Sequence, residues 1–199
     1  MSTVETNLVQ PSTGTNLQLG ASGDTVDVPS GATLDVTGAT VTGLSAGKVL
    51  QVVQATKTDT ASSTSLTFVS TGLEASITPS STSNKVLVMI SASHGQLADN
   101  AISFQLNRDS TAIFLGDTAG SRTRVSVGTF YQNVSGDMNN SGINYLDSPS
   151  TTSSTTYKLM WAVKGVGTAG IYLNRAAGDA DGAAQRRSAS SIILMEIEG

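Results

Sequence analysis

A single histidine, His94, is the only imidazole in the chain. A Ser-His-Asp arrangement needs an imidazole between nucleophile and acid, so any such triad would have to run through it. His94 follows an apolar run that ends at Ser93 and precedes Gly95, a setting that predicts a turn or surface position. In a trimer, three copies meeting on the axis could hold a metal. There are no cysteines, which removes thiol nucleophiles, disulfides and Cys-based zinc sites. Gly165-Val-Gly167-Thr-Ala-Gly170 matches the dinucleotide pattern in letters, but that pattern works by feeding a strand into a helix N-terminus. Strand-like runs lie on both sides here, which predicts a glycine-rich hairpin loop. Gly178-Asp-Ala-Asp181-Gly182 resembles the opening of a calcium loop. Counted from Asp179, however, the twelfth position is Ser190 and not the required Glu. Asn133-Val-Ser135 and Asn139-Asn-Ser141 fit the glycosylation sequon, which carries no information without a secretory route.

No catalytic, cofactor-binding or metal-ligating set is therefore expected. The polar residues left over cluster in four stretches read as loops: 96–100, 117–122, 133–141 and 175–187. Within them, Gln96, Asp117, Arg122, Asn133, Asn139, Arg175, Arg186 and Arg187 are the candidate contacts for a receptor or partner. The late arginines could grip an anionic sugar or pair across subunits; keeping a surface soluble is the commoner use of such residues.

The elements that must carry these loops are strands. Charged residues make up 13% of the chain, about half the usual share, and hydroxyl takes their place, with 28 Ser and 26 Thr in 199 residues. Disorder of this composition normally brings high net charge and few β-branched residues. The net charge is only −4, and Val, Ile and Thr suit pleated, half-buried surfaces. From Gly47 onward, strand-length runs recur with turn signals between them: 48–54, 65–69, 75–78, 85–92, 101–107, 111–115, 124–131, 141–146, 156–163, 170–174 and 190–197. This pattern predicts a sandwich or barrel. The glycines within 176–189 predict a loop there, and the last strand is expected to pin the C-terminus in a sheet. Most aromatics read as core; of the adjacent Phe130 and Tyr131, one must face away from it. An acidic balance argues against nucleic acid, whose binding depends on Lys and Arg contacts to phosphate. No run approaches the ~20 apolar residues that cross a bilayer, and the N-terminus lacks the basic and apolar regions of a signal peptide.

Residues 1–47 form a different region, with no Lys, Arg or aromatic residue. Apolar pairs recur as Leu17-Gln-Leu19, Val26-Asp-Val28 and Leu34-Asp-Val36, followed by Val41 and Leu44, with Gly20, Gly23, Gly31, Gly38 and Gly43 between them. Each unit reads as a very short strand closed by a glycine-bearing turn. One such arm has too few apolar residues to close a core and leaves open strand edges. Three arms wound about one axis solve both problems. The expected organisation is an attachment arm with short β-helix-like trimeric winding over 1–47 and a β-sandwich or jelly-roll head over 48–199.

The stretch from Thr15 to Gly38, the junction Gly47-Lys-Val-Leu-Gln-Val-Val53 and the segment Ile77-Thr-Pro-Ser-Ser-Thr-Ser-Asn-Lys-Val-Leu-Val88 together resemble bacteriophage tail-fibre proteins, especially those of phages of aquatic bacteria. The resemblance implies a homotrimer in the virion, made in the host cytoplasm. Its N-terminal arm would join other virion proteins, and its distal head would meet a host-surface glycan without membrane insertion. It also leaves open a capsid decoration protein built from the same parts. A depolymerising tailspike would need carboxylates clustered in a groove, and the chain has only 15 acidic residues.

Overall fold

In a computed structural model, described for residues 48–97, 100–129, 137–165, 170–183 and 185–199 together with Thr25, residues 27–33 and Asp35, the chain divides into two units, Met1–Leu44 and Ser45–Gly199. In the first unit the Ala32 N–H donates to the Pro29 carbonyl at 3.0 Å. Gly31 sits at φ +88°, the third position of a type II turn, which a side chain resists. Gly31 is one of the glycines that the sequence places between apolar pairs. The apolar pairs around it, apart from Val28, lie outside the described residues.

The second unit is all β, with no helix among the described residues. Its strands are β1 (Val49–Lys57), β2 (Ala61–Ser63), β3 (Val69–Ile77), β4 (Lys85–Gln96), β5 (Asn100–Arg108), β6 (Thr111–Ile113), β7 (Val127–Gly128), β8 (Asn139–Asp147), β9 (Thr155–Gly165), β10 (Ile171–Leu173) and β11 (Ser190–Ile197). They form two antiparallel sheets that do not close into a barrel. In the first sheet, β1 and β2 share the outer row, β11 and β10 the next, then come β4 and β8. In the second, the rows are β3, β9, β5, and a last row shared by β6 and β7. One core holds Val88, Ile90 and Leu194 of the first sheet with Phe104, Leu159 and Trp161 of the second, an arrangement consistent with a β-sandwich.

Period-two alternation builds this core. In β4, Val86, Val88, Ile90 and Ala92 are buried, and in β11 so are Ile192 and Leu194; successive side chains point to opposite faces of a strand. The pinned C-terminus follows, because β11 pairs with β1 on one side and β4 on the other.

Several elements differ from expectation. The run 65–69 contributes only Val69, and 75–77 is the end of that same strand, β3. Residues 65–68 stay outside the ladder, where the Ser65 hydroxyl donates to the Thr67 carbonyl at 2.7 Å and accepts from the Thr67 N–H. Local hydroxyl bonds of this kind compete with sheet pairing. The strand expected over 124–131 shrinks to Val127–Gly128, and Phe130 and Tyr131 lie outside the described residues. β9 and β10, on either side of the glycine-rich run, belong to different sheets, so they do not form the hairpin expected; the element that follows is a strand, not the helix that a dinucleotide site requires.

Candidate functional site

β4 does not stop at Ser93. It continues to Gln96 because both of its edges stay occupied: at His94 it pairs with Leu173 of β10 on one side and Asn139 of β8 on the other. Gly95 permits this, since a Cβ there would stand 2.7 Å from the Arg175 carbonyl oxygen and 2.9 Å from the Ala176 Cα. His94 is therefore not the turn or surface residue expected. It lies on the inner face and is 1% exposed.

Its surroundings are polar on one side and apolar on the other. Nε2 lies 2.9 Å from the Ser141 hydroxyl, and the ring packs against Phe104 with centroids 5.3 Å apart. Burial holds the imidazole down at about pKa 4, so it is neutral near pH 7. Nδ1 is buried with no hydrogen-bond partner among the described residues. Across the gap, the Thr129 hydroxyl accepts from the Ile102 N–H at 2.8 Å and donates to Gln96 Oε1 at 3.2 Å. Gln96 in turn donates to the Asn100 carbonyl at 2.6 Å.

Between the start of β8 in one sheet and β7 in the other, a cleft of about 230 Å³ opens, lined by His94, Gly128, Thr129, Asn139, Asn140 and Ser141. Its walls offer amide, hydroxyl and neutral imidazole groups, each able to donate or accept. The volume is below the ~300–1,000 Å³ of sites that enclose a drug-sized ligand, so the cleft suits one ring of a larger polar molecule. The described residues place no acid behind Nδ1 to fix the tautomer that would take the Ser141 proton.

The opposite end of the sandwich carries two buried carboxylates. Asp147 of β8 and Glu196 of β11 flank Val86 in register and share its inner face. Glu196 is 1% exposed and accepts from the Ser80 N–H (2.6 Å), the Ser80 hydroxyl (2.8 Å), Asn84 Nδ2 (2.6 Å) and Gln51 Nε2 (2.6 Å). Burial alone would raise its pKa, but the bonds from Gln51, Asn84 and Ser80 outweigh it and hold the group at about 2. Asp147 accepts from Arg108 through both oxygens, at 3.0 and 2.9 Å, and from the Tyr157 hydroxyl at 2.7 Å. Burial and the Asp147 carboxylate push the Tyr157 phenol far up. These carboxylates fasten strands and leave no free pair for acid–base work among themselves.

A second cleft, of about 240 Å³, is lined by Asp179, Ala180, Asp181, Gly182, Gln185 and Arg187. A bridge between Arg175 and Arg187 closes the loop at its base. Asp179 pairs with Arg187 at 2.7 Å and Arg175 at 3.7 Å, and the Arg175 guanidinium lies 4.0 Å above the Tyr172 ring.

The candidate contacts thus separate. Asn139 lines the first cleft, and it opens strand β8 instead of sitting in a loop. Gln96 is fully buried as the last residue of β4; it supports Thr129 from within and presents nothing outward. Arg175 and Arg187 meet on Asp179, while Arg186 between them is exposed. Asp117 and Arg122 lie exposed on the connection between β6 and β7, where the Arg122 N–H closes a turn onto the Ala119 carbonyl. Asn133 falls outside the described residues. The residues missed at the site are His94, Thr129 and Ser141. A signal for His94 was present, because counting by twos from Val88 puts it on the inner face. Its partner Ser141 is 47 positions away, and nothing local announces that contact.

No family model matches the sequence, and no curated protein matches it.

Proposed function

We propose that this chain is a non-catalytic binding head with an N-terminal attachment arm, a homotrimeric virion appendage of the tail-fibre kind that engages a hydroxyl-rich polysaccharide on a host surface. The head would follow a jelly-roll plan, and residues 1–47 would wind with two other copies. The observation that carries this reading is the cleft between β8 and β7, whose described lining is neutral and hydrogen-bonding throughout. Sugar hydroxyls pair with such groups directly or through water, and a neutral imidazole adds a flat wall without a charge to desolvate. A contact of one ring per head is weak. Three heads on one arm would raise the apparent affinity by about 10²–10⁴ through effective concentration.

Two measurements test this. The full-length protein is titrated against purified bacterial capsular and O-antigen polysaccharides while reducing ends are assayed in the same samples. Saturable binding with no new reducing ends supports the reading; sustained release of reducing ends overturns it in favour of a depolymerase. Immunogold labelling of particles containing the chain then separates the rival role. Label at the tail supports the fibre, and label spread over the shell overturns it in favour of capsid decoration.

A further inference from the structure

The cleft between β8 and β7 lies on one long side of the sandwich, and the same side carries a second feature further along. β8 is the last strand of its sheet, and β7 and β6 share the last row of the other. The register orders that row along β5: Gly128 of β7 stands opposite Ser103, Val127 opposite Phe104, and Ile113 of β6 opposite Leu106. On β8, Tyr145 is four positions beyond Ser141, about 13 Å along a strand that rises ~3.3 Å per residue. There the ring of Phe114, the residue after β6, lies on Tyr145 with centroids 4.9 Å apart and planes tilted by 32°. The seam between the sheets thus runs from a hydrogen-bonding cleft to an aromatic pair.

Phe114 is held there in a way that the core does not require. Its backbone is at φ +52°, a left-handed conformation that a bulky side chain resists. The residue is 41% exposed, whereas Tyr145 beneath it packs against the core. The segment that follows is braced. The Gly116 N–H donates to the Val125 carbonyl at 3.2 Å, and Arg124 Nε donates to the Gly116 carbonyl at 2.6 Å. The Ser126 hydroxyl accepts from the Leu106 N–H at 2.9 Å, which ties the segment to β5. Strain of this kind persists where the surroundings impose it, and it gathers at ligand-binding positions. A braced ring also loses little freedom when a ligand arrives.

We infer that Phe114, backed by Tyr145, is a stacking subsite for a further sugar ring of the same polysaccharide chain that enters the cleft. This rests on the glycan reading above and gives it a direction and a minimum length. A pyranose ring carries hydroxyls at its rim and C–H groups on its faces. Those hydrogens, made partly positive by the adjacent oxygens, are drawn to the negative face of an aromatic ring. The cleft supplies partners for the hydroxyls and Phe114 supplies one for a C–H face. A single sugar at either place leaves the other unused, so the seam favours chains long enough to span about 13 Å.

Equilibrium binding of the full-length protein to immobilised capsular and O-antigen polysaccharides tests the inference. Phe114→Gly removes the ring and suits the left-handed backbone. Its melting temperature is expected to be unchanged or higher, and its affinity about tenfold lower. Phe114→Tyr keeps an aromatic face and is expected to bind as the unaltered protein does. Phe114→Leu keeps only apolar bulk and is expected to lose affinity as F114G does; full binding by F114L overturns the stacking. Unchanged affinity in F114G, with N139A/S141A weakened, overturns this subsite and leaves the cleft reading standing. Loss in F114G alone, with N139A/S141A unchanged, contradicts a chain that uses both places. No binding by the unaltered protein, or no loss in either variant, overturns the subsite and the cleft reading together. Unchanged glycan affinity in F114G with a lower sedimentation coefficient assigns the ring to a contact between chains and overturns the subsite. Should F114G melt below the unaltered protein, F114Y and F114L decide on the same criterion, because both keep a side chain against Tyr145.

Discussion

His94 and Glu196 give the head two separate acid sensitivities. With its folded pKa held near 4 below an ordinary value of ~6.5, His94 favours the folded state fully above pH 6.5. That contribution is lost as pH falls from 6.5 toward 4, amounting to about 3 kcal/mol. Glu196, held at about 2, contributes fully above pH 4.5 and loses its share between pH 4.5 and 2. Denaturant unfolding at pH 7, 5.5 and 4.5 is expected to show falling stability in the unaltered protein and a flatter profile in H94L. An H94L profile as steep as the unaltered one would contradict the assignment. E196A leaves the Ser80, Asn84 and Gln51 donors without their acceptor. It is expected to cost about 3 kcal/mol, read as a melting temperature lower by roughly 6–12 °C. Parity carried a signal for both residues, since counting by twos from Val88 reaches His94 and from Ile192 reaches Glu196, although the Gly95 that follows led to His94 being expected at a turn. What parity cannot supply is the partner. Ser141 and Ser80 arrive from distant chain positions, and only the strand register brings them into contact.

Between elements, the two sheets are tied by Arg108 of β5 and Tyr157 of β9 closing on Asp147 of β8. Tyr157→Phe removes one bond to a carboxylate that keeps its arginine, and is expected to cost about 1–2 kcal/mol. Asp147→Ala strands both partners and is expected to cost about 3 kcal/mol. Chemical denaturation of both variants checks the order; equal losses would contradict a clamp centred on Asp147. The long strands were legible because β4, β5, β9 and β11 each carry enough alternating residues to show a period. β2 was not, being three residues long and held by its neighbour instead of by its own pattern, and β7 was expected over 124–131 but spans two residues. The segment 65–68 was misread for a related reason: its apolar letters suggest a ladder, while the Ser65 hydroxyl takes up the backbone locally.

At the scale of the molecule, the sandwich has a fastened end and an open one. The carboxylate networks of Glu196 and Asp147 close the end where β1 begins. The cleft around His94 and Ser141 opens at the far end of β4. The separation of these two ends could not be read before the register was known, because Asn139 and Asn140 look like loop residues in sequence. The most direct test is equilibrium binding of the full-length protein to immobilised capsular and O-antigen polysaccharides, compared with a cleft variant, N139A/S141A, that keeps the same melting temperature. The account predicts saturable binding that the variant weakens at least tenfold. Binding that the variant leaves unchanged, or no binding to any polysaccharide by the unaltered protein, would contradict it.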